Sequence, residues 1–342
     1  MVEAPFRKAD ARFRVSDADS GVSDAGSGAS GPSGADANVP EAWSRVSVVT
    51  VTHHSGRVIG DCARSVAPAA RVVVIDNASD DDSLAIAAAI LPAATLIRNR
   101  VNGGFGAGCN QGFARVETEF ALLLGPDSTI DGRSLALLVA AADAYPRAGM
   151  LGPALVAADG HIEPSHDLGL FERMTAGKRR DTATPPEGPL SADHLSGAVL
   201  LVRMSALRQV GGFDPAIFLY YEDDDLCLRM RAGGWSLVLV PEARATHIGG
   251  GSTRVNLRYH WKKYWHYGWS RLHIEAKYRG RGRAAAIALG VLARSLGKAL
   301  ANALILNRAK AVRDAARFAG SAAWLLGLPA MPAPGGEGDA GK

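Results

Sequence analysis

Cysteines, aromatic side chains and long apolar runs are scarce in this chain of 342 residues. The three cysteines, Cys62, Cys109 and Cys227, are odd in number and widely spaced, which excludes a disulfide framework and a zinc-finger spacing. We therefore expect small buried thiols in a reducing compartment. The first residues lack the apolar core and cleavage site of a secretory signal. No stretch has the roughly 18 to 20 unbroken apolar residues that span a bilayer.

The rest of the composition is that of a folded protein. Hydrophobic residues make up 47% of the sequence, enough for one large domain or two modest ones. Residues 16–40 are an exception, because Ser, Gly, Ala and Asp leave almost nothing to bury. We predict a disordered tail over 1–42, a folded domain over 43–255, a basic and apolar helical extension over 256–330, and a flexible C-terminus over 331–342.

Positive charge is concentrated near the C-terminus. The formal net charge is +4, but 254–320 contains fifteen Lys or Arg against two acids, so this stretch carries +13 and the remainder −9. Such a basic surface suits nucleic acid, an anionic membrane or a phosphorylated acceptor. No groove-reading or base-stacking motif accompanies the charge, so we expect no nucleic-acid partner.

Apolar strands alternate with helices in the first part of the chain. The predicted strands are VSVVTVT from 46, VVVID from 72, ATLIRN over 94–99 and FALLLGPDS over 120–128. Helices are predicted over 57–66, in the Ala-rich stretch before 92, and near 107–116. Alternation with short joints predicts a parallel sheet covered on both faces. The loops after the strands, at 52–56, 76–83, 102–112 and 125–128, then share the edge where ligands bind.

Two nucleotide-binding folds fit these loops to different degrees. Gly106, Gly108 and Gly112 approximate a dinucleotide-binding loop, but that loop belongs at the first strand-to-helix turn, with its acid after the next strand. Here the first turn is THHSG, and Asp76 precedes the glycines. In a sugar-nucleotide fold, Asp76 would accept hydrogen bonds from the nucleoside, and Asp127 would hold Mg²⁺ or Mn²⁺ on the diphosphate.

The stretch YYEDDDLCLRM (220–230) contains four consecutive carboxylates. Charge blocks of this kind are usually solvated helix faces. This one lies between the segments 196–219 and 233–250, whose composition is typical of a folded core. Carboxylates in such a place must be paired, protonated or bound to a cation, because burial removes their hydration. The run therefore indicates a site.

Taken in order, these motifs resemble the inverting family 2 glycosyltransferases with the fold called GT-A. The resemblance is closest to the bacterial rhamnosyltransferase-like and galactofuranosyltransferase-like branch. It covers 46–255 and rests on VVTVTHHS, VVVIDNASDDDS, NGGFGAGCNQG, LLLGPDS, LSGAVLLVRMSALRQVGGFDPAIFLYYEDDDLCLRMRAGGW and VPEARATHIGGGS. It implies an α/β fold in which a mostly parallel central sheet is flanked by helices, with the C-terminal helical extension outside the family pattern. Residues 43–255 would then be a GT-A catalytic domain.

The resemblance also implies which residues bind the donor. The residues that correspond to the family's nucleotide-sugar contacts are Thr52, Asp76, Asn77, Asn102, Gly103, Gly104 and Asp127. Asp127 and His247 correspond to the ligands of a divalent metal, Mg²⁺ or Mn²⁺. Family members often have Asp or Asn where this chain has Gly125, so one ligand or water contact is lost.

The acidic run has a place in the same pattern. In the family, the second acid of the Glu-Asp pair is the general base, which is Asp223 here. Glu222 is its neighbour and a hydrogen-bonding partner for the acceptor sugar. Asp225 is expected to orient the following helix or its arginines, Arg229 and Arg231.

Beyond the family pattern, Trp261, Trp265 and Trp269 recur at a spacing of four in YHWKKYWHYGWSR (259–271). On a helix they share one broad face, with Lys262 and Lys263 beside it. This face suits packing against the catalytic domain, and it equally suits a helix at a membrane interface. Basic residues interrupt the later apolar stretches, so attachment to a membrane surface is favoured over a crossing.

We therefore expect a metal-dependent inverting hexosyltransferase. The resemblance implies transfer of rhamnose from dTDP-rhamnose to a saccharide or lipid-linked saccharide in cell-envelope polysaccharide synthesis. The expected location is the cytoplasm, as a peripheral protein on the inner face of the cell membrane. The alternative, left open by Gly125, is a non-catalytic sugar-nucleotide-binding or scaffold protein of the same fold.

Overall fold

A computed structural model describes residues 38–69, 71–176, 188–249 and 256–330. The strands in these ranges are β1 (Val46–Thr52), β2 (Val72–Asp76), β3 (Thr95–Arg98), β4 (Phe120–Leu124), β5 (Ser128–Ile130), β6 (Ala148–Val156), β7 (Ile162–Glu163), β8 (His166–Asp167), β9 (Leu190–Ala192), β10 (His194–Leu195), β11 (Val199–Arg203) and β12 (Ser236–His247). The helices are α1 (Val39–Ser44), α2 (Ile59–Ser65), α3 (Ser83–Ile90), α4 (Phe105–Phe113), α5 (Gly132–Ala144), α6 (Leu170–Ala176), α7 (Met204–Val210), α8 (Glu222–Ala232), α9 (Leu257–Arg279), α10 (Arg281–Leu304) and α11 (Arg308–Leu325).

The central sheet has the strand order β3-β2-β1-β4-β11-β6-β12-β5. The four predicted strands, β1 to β4, pair in parallel and form one half of the sheet. In the other half, β11 runs antiparallel to both β4 and β6, whereas β12 runs parallel to β6. β1 to β4, β6 and β12 therefore all end at one edge of the sheet.

Two apolar layers cover the sheet, because side chains of successive residues point to opposite faces. In β4, Phe120 and Leu122 belong to the layer under α2, α3 and α5, and Ala121 and Leu123 belong to the layer under α4, α7 and α8. The strands β1, β2 and β4 are buried along their whole length. The continuous apolar runs of the sequence reflect this double covering. The three cysteines are free and buried, in agreement with the prediction.

The folded region begins earlier than the sequence indicates. Helix α1 begins at Val39, capped by the Asn38 side chain, and its residues Ala42 and Trp43 are buried. The helix packs against α5, where Gly132 lies close to Val39. Residues 38–42 are therefore part of a folded element, and their assignment to the tail is corrected. The remainder of the predicted tail and the predicted flexible C-terminus over 331–342 lie outside the described residues.

The predicted helical extension consists of α9, α10 and α11, which pack against one another. Within the described residues, 281–302 in α10 form one segment that is long and apolar enough to cross a membrane, with a mean hydropathy of 1.5 and 17% of its most apolar window buried. The segment reaches this mean hydropathy although two basic residues, Arg294 and Lys298, interrupt it. Length and composition alone do not distinguish a span from a surface helix.

Candidate active site

The strand ends meet at a cleft of about 700 Å³. Thr52, the last residue of β1, lies opposite Asp76, the last residue of β2. On the other side, β12 ends at His247, opposite Ser128. Parallel strands bring loops that are distant in sequence to one edge of a sheet, so the predicted motifs are neighbours in space.

On the nucleotide side, Thr52, Asn77, Asn102 and Gly104 line the cleft. The side-chain amide of Asn77 donates to the Gly104 carbonyl at 2.9 Å, and the Asn102 side-chain oxygen accepts from the Gly104 amide at 2.9 Å. Gly104 has φ +94°, and a Cβ there would overlap the backbone oxygen of Phe218. Only glycine fits this turn without strain.

Asp76 and Gly103 are not among the described residues that line the cleft. The Asp76 side chain is 1% exposed and accepts a hydrogen bond from the Ser79 amide at 3.3 Å. Its second carboxylate oxygen has no hydrogen-bond partner among the described residues. Asp76 is thus buried next to the cleft-lining Asn77, with one carboxylate oxygen that accepts no hydrogen bond from the described residues.

On the metal side, Asp127 and His247 line the cleft, with Asp127 Oδ1 3.9 Å from His247 Nε2. His247 Nδ1 lies 2.8 Å from the Glu163 carboxylate of β7. This contact orients the ring, with Nδ1 towards Glu163 and Nε2 towards Asp127, as carboxylates orient metal-binding histidines.

These side chains fit a divalent ion only in part. Within the described ranges there is no group of three or more His, Cys, Asp or Glu side chains with metal-binding geometry. Gly125 lines the cleft where a further acid would stand. Mg²⁺ and Mn²⁺ commonly take one or two protein ligands and complete their shells with phosphate oxygens and water, which suits this pair.

The acidic run forms the first turn of α8. Tyr220 and Tyr221, the two residues before it, have φ values of 65° and 69°, a left-handed conformation that is strained for residues other than glycine. Tyr220 stacks on Tyr267 of α9, with ring centroids 4.2 Å apart. This strained turn directs Glu222 and Asp223 into the cleft, where the helix N-terminus favours negative charge.

The carboxylates of the run have different surroundings. Glu222 is buried, with Oε2 unpartnered among the described residues, and burial, followed by the charge of Asp223, raises the pKa of Glu222 well above its usual value. The pKa of Asp224 is raised to about 7, mainly by burial. Glu222 therefore holds its proton more strongly than an exposed glutamate would, beside Asp223 in the cleft.

Asp223 has a side chain that is 28% exposed. Its carboxylate accepts from the backbone amides of Asp224 at 3.0 Å and Gly197 at 3.4 Å. His194 lies behind it, with Nε2 3.9 Å from Asp223 Oδ2 and Nδ1 3.2 Å from Asp224 Oδ1. Arg173 pairs with Asp224 from the other side. The rigid surroundings fix the direction of the Asp223 carboxylate.

Asp225 is fully buried and has a structural role. It pairs with Arg229 at 2.8 Å, as expected, and with Lys277 of α9 at 2.7 Å. Arg231 instead pairs with Asp193, so the expected link from Asp225 to Arg231 is wrong. The reason is helical spacing: Arg229 lies one turn after Asp225 on the same face, and Arg231 does not.

One wall of the cleft comes from α9, which sequence reasoning assigned to the extension. Tyr259, Lys262, Lys263 and His266 line the cleft from this helix, and His53 lines it from the loop after β1. The positions 259, 262, 263 and 266 have the spacing of one helix face, a signal that the sequence contains.

The neighbouring tryptophans of α9 face elsewhere. Trp269 is 5% exposed and donates to the Leu328 carbonyl at 2.9 Å, whereas Trp261 is 36% exposed. Trp269 is therefore buried with a partner at the end of the predicted extension, and its expected packing against the catalytic domain stays a prediction.

The fold and the cleft define a nucleotide-sugar transferase of the GT-A type, and the comparisons agree. Residues 47–211 match the family model described as Glycosyl transferase family 2. An N-acetylglucosaminyl-diphospho-decaprenol L-rhamnosyltransferase of Mycobacterium tuberculosis is 32% identical over 237 residues, covering 60% of this chain and 76% of the relative. Rhamnosyltransferase WbbL of Escherichia coli is 46% identical over 55 residues, 16% of this chain and 21% of that protein. The chain belongs to glycosyl transferase family 2, which confirms the resemblance.

Two solved structures align with this chain at low identity. Mannosyltransferase PcManGT from Pyrobaculum calidifontis, in complex with GDP-Man and Mn²⁺, aligns with a TM-score of 0.49 at 17% identity, over 82% of this chain and 87% of that one. Residues 1–349 of S. aureus TarS align with a TM-score of 0.49 at 14% identity, over 83% and 92% of the two chains.

Proposed function

We propose that the cleft binds a nucleotide-diphospho-sugar and transfers its sugar, with inversion, to an acceptor hydroxyl. The observation that carries this proposal is that Asp127, Asp223 and His247, far apart in the sequence, line one cleft. Inversion needs a base on the acceptor side and charge neutralisation on the leaving diphosphate. The cleft offers a group for each task.

Asp223 is the proposed base. It lines the cleft, and its carboxylate is held by two backbone amides, so it can accept the proton of an acceptor hydroxyl on attack. Glu222, whose pKa is raised by burial, is the proposed hydrogen-bonding partner of the acceptor sugar. The two adjacent acids thus have different surroundings and different proposed roles.

Asp127 and His247 are the proposed ligands of Mg²⁺ or Mn²⁺, and Glu163 orients the histidine. When bound, the ion would neutralise charge on the diphosphate as the sugar leaves. With two protein ligands, the site depends on phosphate oxygens to complete the coordination shell. We therefore expect tight metal binding only together with the nucleotide.

The nucleoside is assigned to the opposite end of the cleft. The proposed contacts come from the ends of β1 and β2 and from the turn before α4: Thr52, Asp76, Asn77, Asn102, Gly103 and Gly104. Thr52 and Asn77 present side chains there, and the spare oxygen of Asp76 is a strong acceptor just below. Acceptors of this kind suit the N–H group of a pyrimidine base.

For the substrates we propose rhamnose from dTDP-rhamnose as the donor sugar and a lipid-linked saccharide as the acceptor. The 32% identity to a mycobacterial L-rhamnosyltransferase, whose name includes a diphospho-decaprenol acceptor, supports both assignments. Transfer to such an acceptor would place the protein in cell-envelope polysaccharide synthesis. A cytoplasmic protein at the inner membrane surface would meet both substrates.

The test is a transfer assay with the full chain, Mn²⁺ and an N-acetylglucosaminyl-diphospho-prenol acceptor. The donors are dTDP-rhamnose and a panel of UDP- and GDP-sugars, and NMR of the product gives the anomeric configuration. We expect transfer from dTDP-rhamnose with inverted configuration. Retained configuration would contradict the mechanism. Donor binding with neither transfer nor hydrolysis would favour the non-catalytic alternative.

A further inference from the structure

Helix α9 presents one polar face to the cleft. Tyr259, Lys262, Lys263 and His266 all line it, together with residues of the loops that carry the family motifs. Tyr259 and Lys263 contact each other through the hydroxyl and the ammonium at 3.4 Å. This face lies outside 47–211, the region that matches the family model. Its two lysines have no role in the chemistry derived above.

Lys262 lies in electrostatically unfavourable surroundings. Burial, followed by the positive charge of Arg258, lowers the pKa of Lys262. Its charge in turn helps to lower the pKa of His53, across the cleft, and of His266, one turn further along α9. A half-buried ammonium with cationic neighbours gains free energy when an anion binds beside it.

The third lysine of α9, Lys277, gives a contrast. Lys277 lies 2.7 Å from Asp214 and 2.7 Å from Asp225, so its charge is already neutralised within the fold. Lys262 and Lys263 have no carboxylate partner within 4.0 Å among the described residues. The two lysines that line the cleft are therefore the ones left without an anion.

His266 adds a second polar group to this wall. It is 2% exposed, and its Nδ1 has no hydrogen-bond partner among the described residues. Its ring stacks on Phe218 at 4.8 Å, and the Phe218 carbonyl accepts from the Phe105 amide at 3.2 Å, beside Gly104. The wall is thus packed against the turn to which the nucleotide is assigned.

We propose that Lys262 and Lys263 bind the diphosphate of the donor, as protein-borne positive charge in the cleft that Asp127 also lines. This inference rests on the proposed function and names the groups that share the neutralisation of the leaving diphosphate with a metal. Lysine suits the task because its ammonium acts as a point charge on phosphate. The two lysines also offset the acid missing at Gly125, because fewer metal ligands leave more phosphate charge uncompensated.

The experiment measures binding of dTDP and UDP to the full chain by calorimetry, with Mn²⁺ and again with EDTA. The variants are Lys262→Gln, Lys263→Gln and the double variant, and Lys298→Gln on the exposed side of α10 is the matched control. We expect replacement of either cleft lysine to lower the nucleotide affinity about tenfold, both with Mn²⁺ and with EDTA. A lost hydrogen bond to a charged group costs about this much. The control should bind as the wild type does.

Two further measurements separate binding from folding. Binding of thymidine, which has no phosphate, is followed by saturation-transfer NMR and should be unchanged in the double variant. The charge-retaining variant Lys262→Arg/Lys263→Arg should recover most of the dTDP affinity. Loss of thymidine binding along with dTDP binding, or failure of the arginine variant to recover affinity, would contradict a direct phosphate contact.

Nucleotide binding by the wild type and by the double glutamine variant distinguishes the lysine contact from the donor site itself. If the wild type binds dTDP or UDP and the double glutamine variant binds it equally well, the lysine inference is overturned and the donor cleft remains. If the wild type binds neither nucleotide with or without Mn²⁺, the donor site itself is contradicted, and the lysine inference falls with it.

Discussion

At the scale of single residues, the contact between Glu163 and His247 is the feature that the sequence did not indicate. Glu163 lies on the two-residue strand β7, opposite Leu155 of β6, and holds His247 Nδ1 at 2.8 Å. By fixing the tautomer, it prepares Nε2 for a metal. Glu163 is therefore proposed as a positioning residue for the metal ligand.

Replacing Glu163 by Gln removes this charge and should weaken Mn²⁺ binding about 10- to 100-fold, as losses of second-shell carboxylates do. The measurement is the Mn²⁺ concentration that gives half-maximal donor turnover. Glu117→Gln, at an exposed position, is the control. Binding of dTDP in EDTA should be unchanged, and an unaltered Mn²⁺ dependence would refute the positioning role.

The site residues that the sequence predicted all belong to recognisable sequence motifs. Thr52, Asn77, Asn102, Gly104, Asp127, Glu222, Asp223 and His247 meet at the cleft because parallel strands bring their loops to one edge. Glu163 has no such local signal. A lone acid on a short strand looks the same in the sequence whether it faces water or a histidine, since only tertiary packing decides which.

At the scale of elements, α9 connects the acidic run to the C-terminal helices. Ser270 of α9 donates to the Leu219 carbonyl at 3.0 Å, and the Tyr278 hydroxyl donates to the Asp225 carboxylate at 2.8 Å. Tyr267 stacks on the strained Tyr220. The helix therefore stabilises the turn that directs Asp223 into the cleft, and its own packing affects the site.

That packing depends on a close approach between α9 and α11. At Gly320 an added Cβ would overlap the Trp265 carbonyl oxygen, so the two helices must move apart in Gly320→Ala. We expect a loss of about 1–3 kcal/mol in the free energy of unfolding, the usual cost of overpacking. Urea denaturation followed by circular dichroism measures it.

The matched control is Gly297→Ala on α10, where an added Cβ meets nothing within 4 Å. There the higher helix propensity of Ala should stabilise the protein by about 0.5–1 kcal/mol. The same substitution thus has opposite expected signs at two helical glycines. Equal effects at both positions would refute the close-packed interface.

The strands β1 to β4 and the helices α2 to α4 were predicted to within a few residues, and the division at residue 256 is the weaker part of the prediction. β1 to β4 follow apolar runs with clear turn signals, and the structure has them where the sequence indicates. The extension was separated because its composition changes to basic and Trp-rich. Composition does not reveal that one face of α9 lines the cleft, since the same lysine spacing also suits a solvated helix.

At the scale of the whole molecule, we expect the C-terminal helices to contact an anionic membrane. Six large apolar side chains of α10 and the following turn are at least half exposed: Leu289, Leu296, Leu300, Leu304, Ile305 and Leu306. Exposed cations, Arg294, Lys298, Arg308 and Lys310, are interspersed with them. Apolar side chains beside cations match the chemistry of an interfacial helix on anionic lipid.

Co-sedimentation with lipid vesicles tests this contact. The full chain should pellet with phosphatidylglycerol vesicles and much less with phosphatidylcholine vesicles. Replacing Leu289, Leu296 and Leu300 by Gln should release it, whereas Leu168→Gln, at an exposed position in the catalytic domain, should not. A wild-type chain that stays in the supernatant with anionic vesicles would contradict the membrane contact.

The most direct test of the catalytic assignment is turnover by Asp223→Asn, which keeps the size of the side chain and removes its basicity. The measurement pairs the rate of sugar transfer with the affinity for dTDP in Mn²⁺. We expect the rate to fall by about 10²–10⁴-fold, the usual contribution of a general base, with dTDP affinity close to that of the wild type. Transfer at the wild-type rate would show that Asp223 is not the base.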